Sequence, residues 1–205
     1  MSTMTTTQKP VGIPDTKTAR RAMIDSQLRT SGVNEEYVLA RMLAVPREDF
    51  LPAEKAAQAY TDRAVMLGEG GHLAAPLFYG KLLLEAAPTS DTRVLVVSGG
   101  TGYLAALIAP LAGSVTEITA AEAAALQGAG EYDLIVIDGA IEQLPEGLGA
   151  ALADHGRIVT GLVLRQVTRL ASGGRIAGSV SLQPLEDLGI PILPAFAAPK
   201  RWTFA

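Results

Sequence analysis

Two runs of four apolar residues, Val94-Leu95-Val96-Val97 and Leu134-Ile135-Val136-Ile137, leave no polar face for solvent. A half-exposed strand would alternate and an amphipathic helix would show a 3.6-residue stripe, so each run reads as a strand buried on both sides. Around them the chain alternates. Ser98-Gly99-Gly100-Thr101-Gly102 opens a helix expected over 102–111, a strand follows over 115–118, a helix starts near Pro145, and another strand covers 157–163. Buried strands alternating with helices predict the α/β class, a mainly parallel sheet covered on both faces. Segments 164–171 and 175–182 alternate in polarity around Ser172, Gly173 and Gly174, which predicts an antiparallel C-terminal hairpin turning at those residues.

Upstream, helices are expected over 20–28 and after Asn34. Asn34 is expected to cap the second helix and Pro46 to stop it. A loop-rich stretch over 46–71 has room for one brief helix near 53–59, and a helix over 76–87 leads into the first buried strand.

The 205 residues suit one domain, and 48% apolar against 19% charged residues excludes wholesale disorder. No apolar run approaches the roughly 20 residues of a membrane span, and a net charge of -4 offers no footprint for nucleic acid or anionic lipid. There is no cysteine, so disulfides and thiolate metal sites are excluded, and His72 and His155 form no H-x-x-H pair, so no metal is expected. Residues 1–18 carry Ser and Thr without a signal-like apolar block. They read as a disordered tail on a cytoplasmic protein whose single domain spans 19–205.

The glycine turn between a buried strand and a helix is where backbone N–H groups approach a nucleotide-like ligand, and equally where glycine merely permits tight packing. No Gly-Lys-Ser/Thr follows, so phosphate binding of the Walker type is excluded. Further motifs stand in order around it. Met23, Gln27, Leu28, Gly32 and Val33 precede Val45-Pro46-Arg47-Glu48-Asp49-Phe50-Leu51-Pro52, then Ala59-Tyr60-Thr61-Asp62, then Leu67-Gly68 before Pro76. Tyr132-Asp133-Leu134-Ile135, Glu142 and Pro145 come after it. Over residues 20–196 this resembles the protein-L-isoaspartate O-methyltransferases, with their V-P-R-x-x-F-x-P, A-Y-x-D and V-L-E-I-G-x-G-x-G-Y motifs. The resemblance implies a Rossmann-like S-adenosylmethionine-dependent fold that methylates isoaspartyl carboxylates of damaged proteins, a protein-repair activity. It places cofactor contacts at Ser98, Gly99, Gly100, Gly102 and Thr119, and a substrate loop at Asp62, His72, Leu73 and Pro76.

Four departures fall at that site. Ser98 replaces the leading glycine and Val96 the acid of the cofactor motif, and Thr119 replaces the ribose-binding carboxylate. Glu117 and Glu122 flank Thr119 and are expected to substitute only with a register change. Twelve residues, 120–131, join two strands where the family has a helix, a third strand and an adenine-contacting loop, so the third-strand region is missing and the 115–118 strand should be a sheet edge. Ala74 stands at the family's catalytic serine, which predicts an inactive position. Together these departures predict weak or lost S-adenosylmethionine binding. They leave two readings: a working methyltransferase, and a non-catalytic relative acting through protein association or a smaller ligand, with a homodimer or a covering segment protecting the bare edge.

Other constellations are weaker. Ser98, Asp138 and His155 follow hydrolase order, but His155 belongs at the opposite strand end, as a solvated turn residue. His72 reads first as a surface-loop histidine. Arg47 and Asp62 suit either a substrate carboxylate or a structural ion pair, and Trp202 and Phe204 suit a packing clamp.

Overall fold

The protein, seen in a computed structural model, is described over residues 15–127, 130–176 and 178–198. Residues 1–14, Trp202 and Phe204, and the readings attached to them, lie outside the described residues. Helix α1 (Thr16–Met23) starts inside the stretch expected to be tail, because Asp15 caps it: the carboxylate accepts from the Lys17 N–H at 3.2 Å and the Thr18 hydroxyl at 2.9 Å. The helical path continues through a π-turn, Ile24–Leu28, and a 3₁₀ turn, Arg29–Ser31, and ends at Gly32 with φ 83°. Helix α2 (Glu36–Ala44) buries Val38, Leu39 and Met42. Its N-cap is Glu35 and not Asn34, with no side-chain cap bond, so the first turn relies on the Glu36 carboxylate facing the helix dipole.

Two 3₁₀ turns, Arg47–Phe50 and Ala53–Gln58, lead to a small antiparallel ribbon of β1 (Val65–Met66) and β2 (His72–Leu73). Helix α3 (Pro76–Ala86) begins with Pro76 in its first turn and buries Phe78, Tyr79, Leu82 and Leu83. Then come β3 (Arg93–Ser98), α4 (Tyr103–Ile108), β4 (Ser114–Thr119), α5 (Ala120–Ala124), β5 (Tyr132–Ile141), α6 (Glu146–Ala151), β6 (Leu152–Leu164), β7 (Val167–Ile176) and β8 (Ser179–Asp187). Helix α4 is shorter than expected because Pro110 has no N–H to continue it.

The sheet order is β4-β3-β5-β6-β7-β8. Pairs β3–β4, β3–β5 and β5–β6 are parallel, and β6–β7–β8 are antiparallel. Strand β4 is the edge, as the short linker requires. The two apolar runs divide by alternation: Val94, Val96, Leu134 and Val136 enter the core under α1 to α4, while Leu95, Val97, Ile135 and Ile137 join Leu148, Ala151 and Phe196 on the other face.

The C-terminal hairpin turns elsewhere than predicted. Arg165 and Gln166, at φ 52° and 65°, connect β6 to β7, and Gly178, at φ 82°, lies between β7 and β8. Ser172, Gly173 and Gly174 sit mid-strand in β7. A Cβ on Gly173 would stand 2.1 Å from the Ser181 carbonyl oxygen, so that glycine serves strand contact and not a turn.

Candidate active site

At the carboxyl ends of β3 and β4, where open α/β sheets bind ligands, lies a cleft of about 820 Å³. One wall is the turn Ser98, Gly99, Gly100 and Gly102, with φ 100° at Gly100 and 73° at Gly102. Ser98 is not strained, and its hydroxyl accepts the Gly100 N–H at 3.2 Å. The loop Gly68-Glu69-Gly70-Gly71 closes a second side. It is tied to the turn by the His72 N–H, which donates to the Gly99 carbonyl at 2.8 Å, and a Cβ on Gly100 would stand 3.1 Å from Gly71 Cα.

The end of β4 carries the charge. Thr119 caps α5: its hydroxyl accepts the Glu122 N–H at 3.2 Å, while Glu122 Oε2 accepts from the Thr119 N–H and hydroxyl, both at 2.8 Å. Those two bonds hold the exposed Glu122 carboxyl below its usual range. Glu117 also lines the cleft, its carboxylate oxygens 3.8 Å from where a Cβ on Gly102 would be. Both acids line the cleft in the observed register of β4. Glu117 points along the pleat toward the neighbouring turn, and the capping box folds Glu122 back over the strand end. The apolar side is Ile118, Ala120 and Ala121 facing Leu193, Pro194 and Ala195. The last three come from a C-terminal segment anchored where the Ala140 N–H donates to Pro191 O at 2.7 Å and the Leu193 N–H donates to Ala140 O at 2.9 Å. This segment thus stands beside α5, where the missing third-strand region leaves space.

Beneath the turn lies a buried polar layer. Asp138, in β5 immediately after the part paired with β3, accepts from the Tyr79 hydroxyl at 3.1 Å, and its other oxygen lies 3.8 Å from His72 Nε2. His72 is 0% exposed, so the surface-loop reading is overturned: pairing of β2 with β1 and with the turn carries its ring inward. Burial pushes Asp138 up to about 7, against the lowering effect of Tyr79 and the Gly99 N–H, and burial pushes His72 below its ordinary value. Arg47 is 0% exposed too. Its guanidinium donates to the Ala59 carbonyl at 2.6 Å and the Ala74 carbonyl at 2.7 Å, and lies 5.4 Å and 5.1 Å from the Tyr79 and Tyr103 ring centroids. Its fork is therefore held by backbone carbonyls and not by Asp62, and the exposed Asp62 borders a separate groove with Arg63, Ala75 and Phe78.

Of the residues singled out in the sequence, Ser98, Gly99, Gly100, Gly102 and Thr119 meet in one cleft. His72, Leu73, Ala74 and Pro76 are buried behind it. The hydrolase order is not assembled: His155 is exposed near the start of β6, at the opposite end of the sheet from Ser98. Sequence reasoning missed the Gly68 to Gly71 wall, whose three glycines in four residues were a usable signal. It also missed the 193–195 wall, which carried none.

A statistical model of the family described as protein-L-isoaspartate(D-aspartate) O-methyltransferase matches residues 18–126. The protein-L-isoaspartate O-methyltransferase of Roseiflexus castenholzii is 32% identical over 212 aligned positions, covering 90% of this chain and 94% of its own. That of Methylorubrum extorquens is 31% identical, covering 84% and 90%. Among solved structures, a putative protein-L-isoaspartate O-methyltransferase from Plasmodium falciparum in complex with S-adenosyl-L-homocysteine superposes with TM-score 0.66 at 17% identity, over 87% of this chain and 98% of that one. At that identity the likeness speaks for the fold, a Rossmann-like methyltransferase architecture. With the family model spanning more than half of the chain and relatives above 30% identity along most of it, the chain belongs to the protein-L-isoaspartate(D-aspartate) O-methyltransferase family.

Proposed function

We propose that this protein is an S-adenosylmethionine-dependent methyltransferase acting on isoaspartyl carboxylates of damaged proteins, a cytoplasmic repair enzyme. The observation that carries the reading is the single cleft holding a glycine turn, two carboxylates and an apolar strip at the carboxyl ends of β3 and β4. The residues present fit the cofactor. The backbone at Gly99 to Gly102 gives close approach, Glu122 and Glu117 supply acceptors for sugar hydroxyls or an ammonium group, and Ile118, Ala121 and Pro194 offer an apolar surface for the base. When bound, S-adenosylmethionine supplies an already activated methyl group, so this chain has only to bind, orient and exclude water. The β1–β2 ribbon, fixed to the turn through His72 N–H and Gly99 O, holds the Gly68 to Gly71 wall over the place of transfer.

A second reading, ligand binding without transfer, is favoured by one feature: Ala74 has no hydroxyl to orient a substrate and is 0% exposed. Calorimetry with S-adenosylmethionine followed by transfer of labelled methyl to an isoaspartyl peptide separates the two. Binding with transfer supports the first, binding without it the second, and absence of both removes the cofactor reading. The β4 edge, exposed among the described residues, is expected to be covered by a second copy, with no nucleic acid or membrane partner. Light scattering that gives a monomer would remove the dimer. No helix among the described residues is long and apolar enough to cross a membrane.

A further inference from the structure

The layer behind the glycine turn is polar and closed to solvent. Both ring nitrogens of His72, Asp138 Oδ1 and Arg47 Nη1 are buried without a hydrogen-bond partner. At 3.8 Å, His72 Nε2 and Asp138 Oδ1 are too far apart for a hydrogen bond, and the two residues are 0% and 1% exposed. Gly99, which lines the cleft, packs directly against both: a Cβ there would stand 2.8 Å from His72 Nε2 and 3.0 Å from Asp138 Cγ.

We propose that Asp138 is the residue by which the cleft discriminates a cationic S-adenosyl ligand from its neutral demethylated product, by giving up a proton when a cation settles over Gly99. The inference rests on the cofactor reading above. The Asp138 O–H bond breaks, its proton passes to water and buffer, and no other covalent bond of the protein changes; the carboxylate left behind lies directly behind Gly99, across the turn from the cleft. The demethylated product has no sulfonium, so the carboxyl takes its proton back and the product is held less tightly. Charge preference and proton release are two sides of one linkage.

The surroundings permit both states. Burial holds the Asp138 carboxyl protonated up to about pH 7, so near neutrality a modest change in local charge moves the proton. The facing groups come from five elements: His72 on β2, Tyr79 on α3, the Gly99 N–H of the turn, Arg47 from its 3₁₀ turn, and Glu117 on β4. Burial keeps His72 neutral, and the Arg47 charge is shared with the Ala59 and Ala74 carbonyls and two rings. Glu117 opposes a second negative charge until a cation arrives.

The test is calorimetry on the full wild-type chain with S-adenosylmethionine and S-adenosylhomocysteine, in phosphate and in Tris, whose ionisation enthalpies differ. The expected result is a buffer-dependent heat at pH 7 for S-adenosylmethionine alone. The affinity ratio of the two ligands should rise about tenfold from pH 6 to pH 8, and Asp138→Asn should show neither effect. Binding of both ligands with no buffer dependence and a flat ratio would overturn the inference and leave the cofactor reading intact. Binding of neither would remove the cofactor reading and this inference with it. The wild-type buffer comparison decides even if Asp138→Asn does not fold.

Discussion

Glu122 reaches back to Thr119, its Oε2 lying 2.8 Å from both the amide nitrogen and the hydroxyl oxygen of that residue. The relationship turns a threonine at the end of the second parallel strand into the foundation for a carboxylate supplied three residues later. Thr119→Ala removes the hydroxyl that accepts from Glu122 N–H and should lower stability by about 1 kcal/mol in urea unfolding. An unchanged midpoint would mean that α5 stands without its cap.

Gly99 is packed from behind. A methyl group there would stand 2.7 Å from the Asp138 carbonyl oxygen and 2.8 Å from His72 Nε2, backbone and ring atoms that cannot swing aside. Gly99→Ala should therefore destabilise by about 1 to 3 kcal/mol. Gly68→Ala, which meets nothing within 4 Å, should change stability by less than about 0.5 kcal/mol. Equal midpoints for the two variants would contradict the closeness of the buried pair to the turn.

For Arg47, hydrogen-bond geometry outweighs charge. Its fork serves two carbonyls from separate segments, Ala59 and Ala74, inside a nest of aromatic rings. Arg47→Ala should cost about 3 kcal/mol or more by stranding both acceptors. Arg47→Lys should recover only part of that loss, since one ammonium cannot span both acceptors as the fork does. Full recovery by lysine would show that the charge alone matters.

His72 and Asp138 should impart opposite pH slopes to stability. The folded Asp138 holds its proton to about pH 7, well above an unfolded carboxyl, so its favourable contribution is complete at acid pH and declines as pH rises toward 7. The folded His72 is depressed, so its contribution is present above the unfolded histidine value and is lost as pH falls below it. In the wild type the two oppose each other. His72→Gln should expose a decline in denaturation midpoint from about pH 4 to pH 7, and Asp138→Asn a rise toward about pH 6.5. Slopes of the same sign in the two variants would rule out independent burial of the pair.

Local patterning determined much of this protein. Four-residue apolar runs at 94–97 and 134–137 left no face for water, so central parallel strands were legible, as was the glycine turn that follows the first. The twelve residues at 120–131 set the sheet edge at β4 by length alone. Each of these follows from covalent connectivity and the hydrophobic effect acting on neighbours in sequence. Tertiary structure decided what depends on chains meeting from a distance. Gly173 and Gly174 look like a turn until Ser181 is placed against the first of them, and His72 looks like a surface residue until β1 and Gly99 draw it inward. Arg47 and Asp62 look like partners until two carbonyls claim the guanidinium. Glu117 and Glu122 enter the cleft through the pleat and a cap, and residues 193–195 through a return of the chain past Ala140. Burial and the hydrogen-bond partners it demands are properties of the packed whole, so no local pattern encodes them.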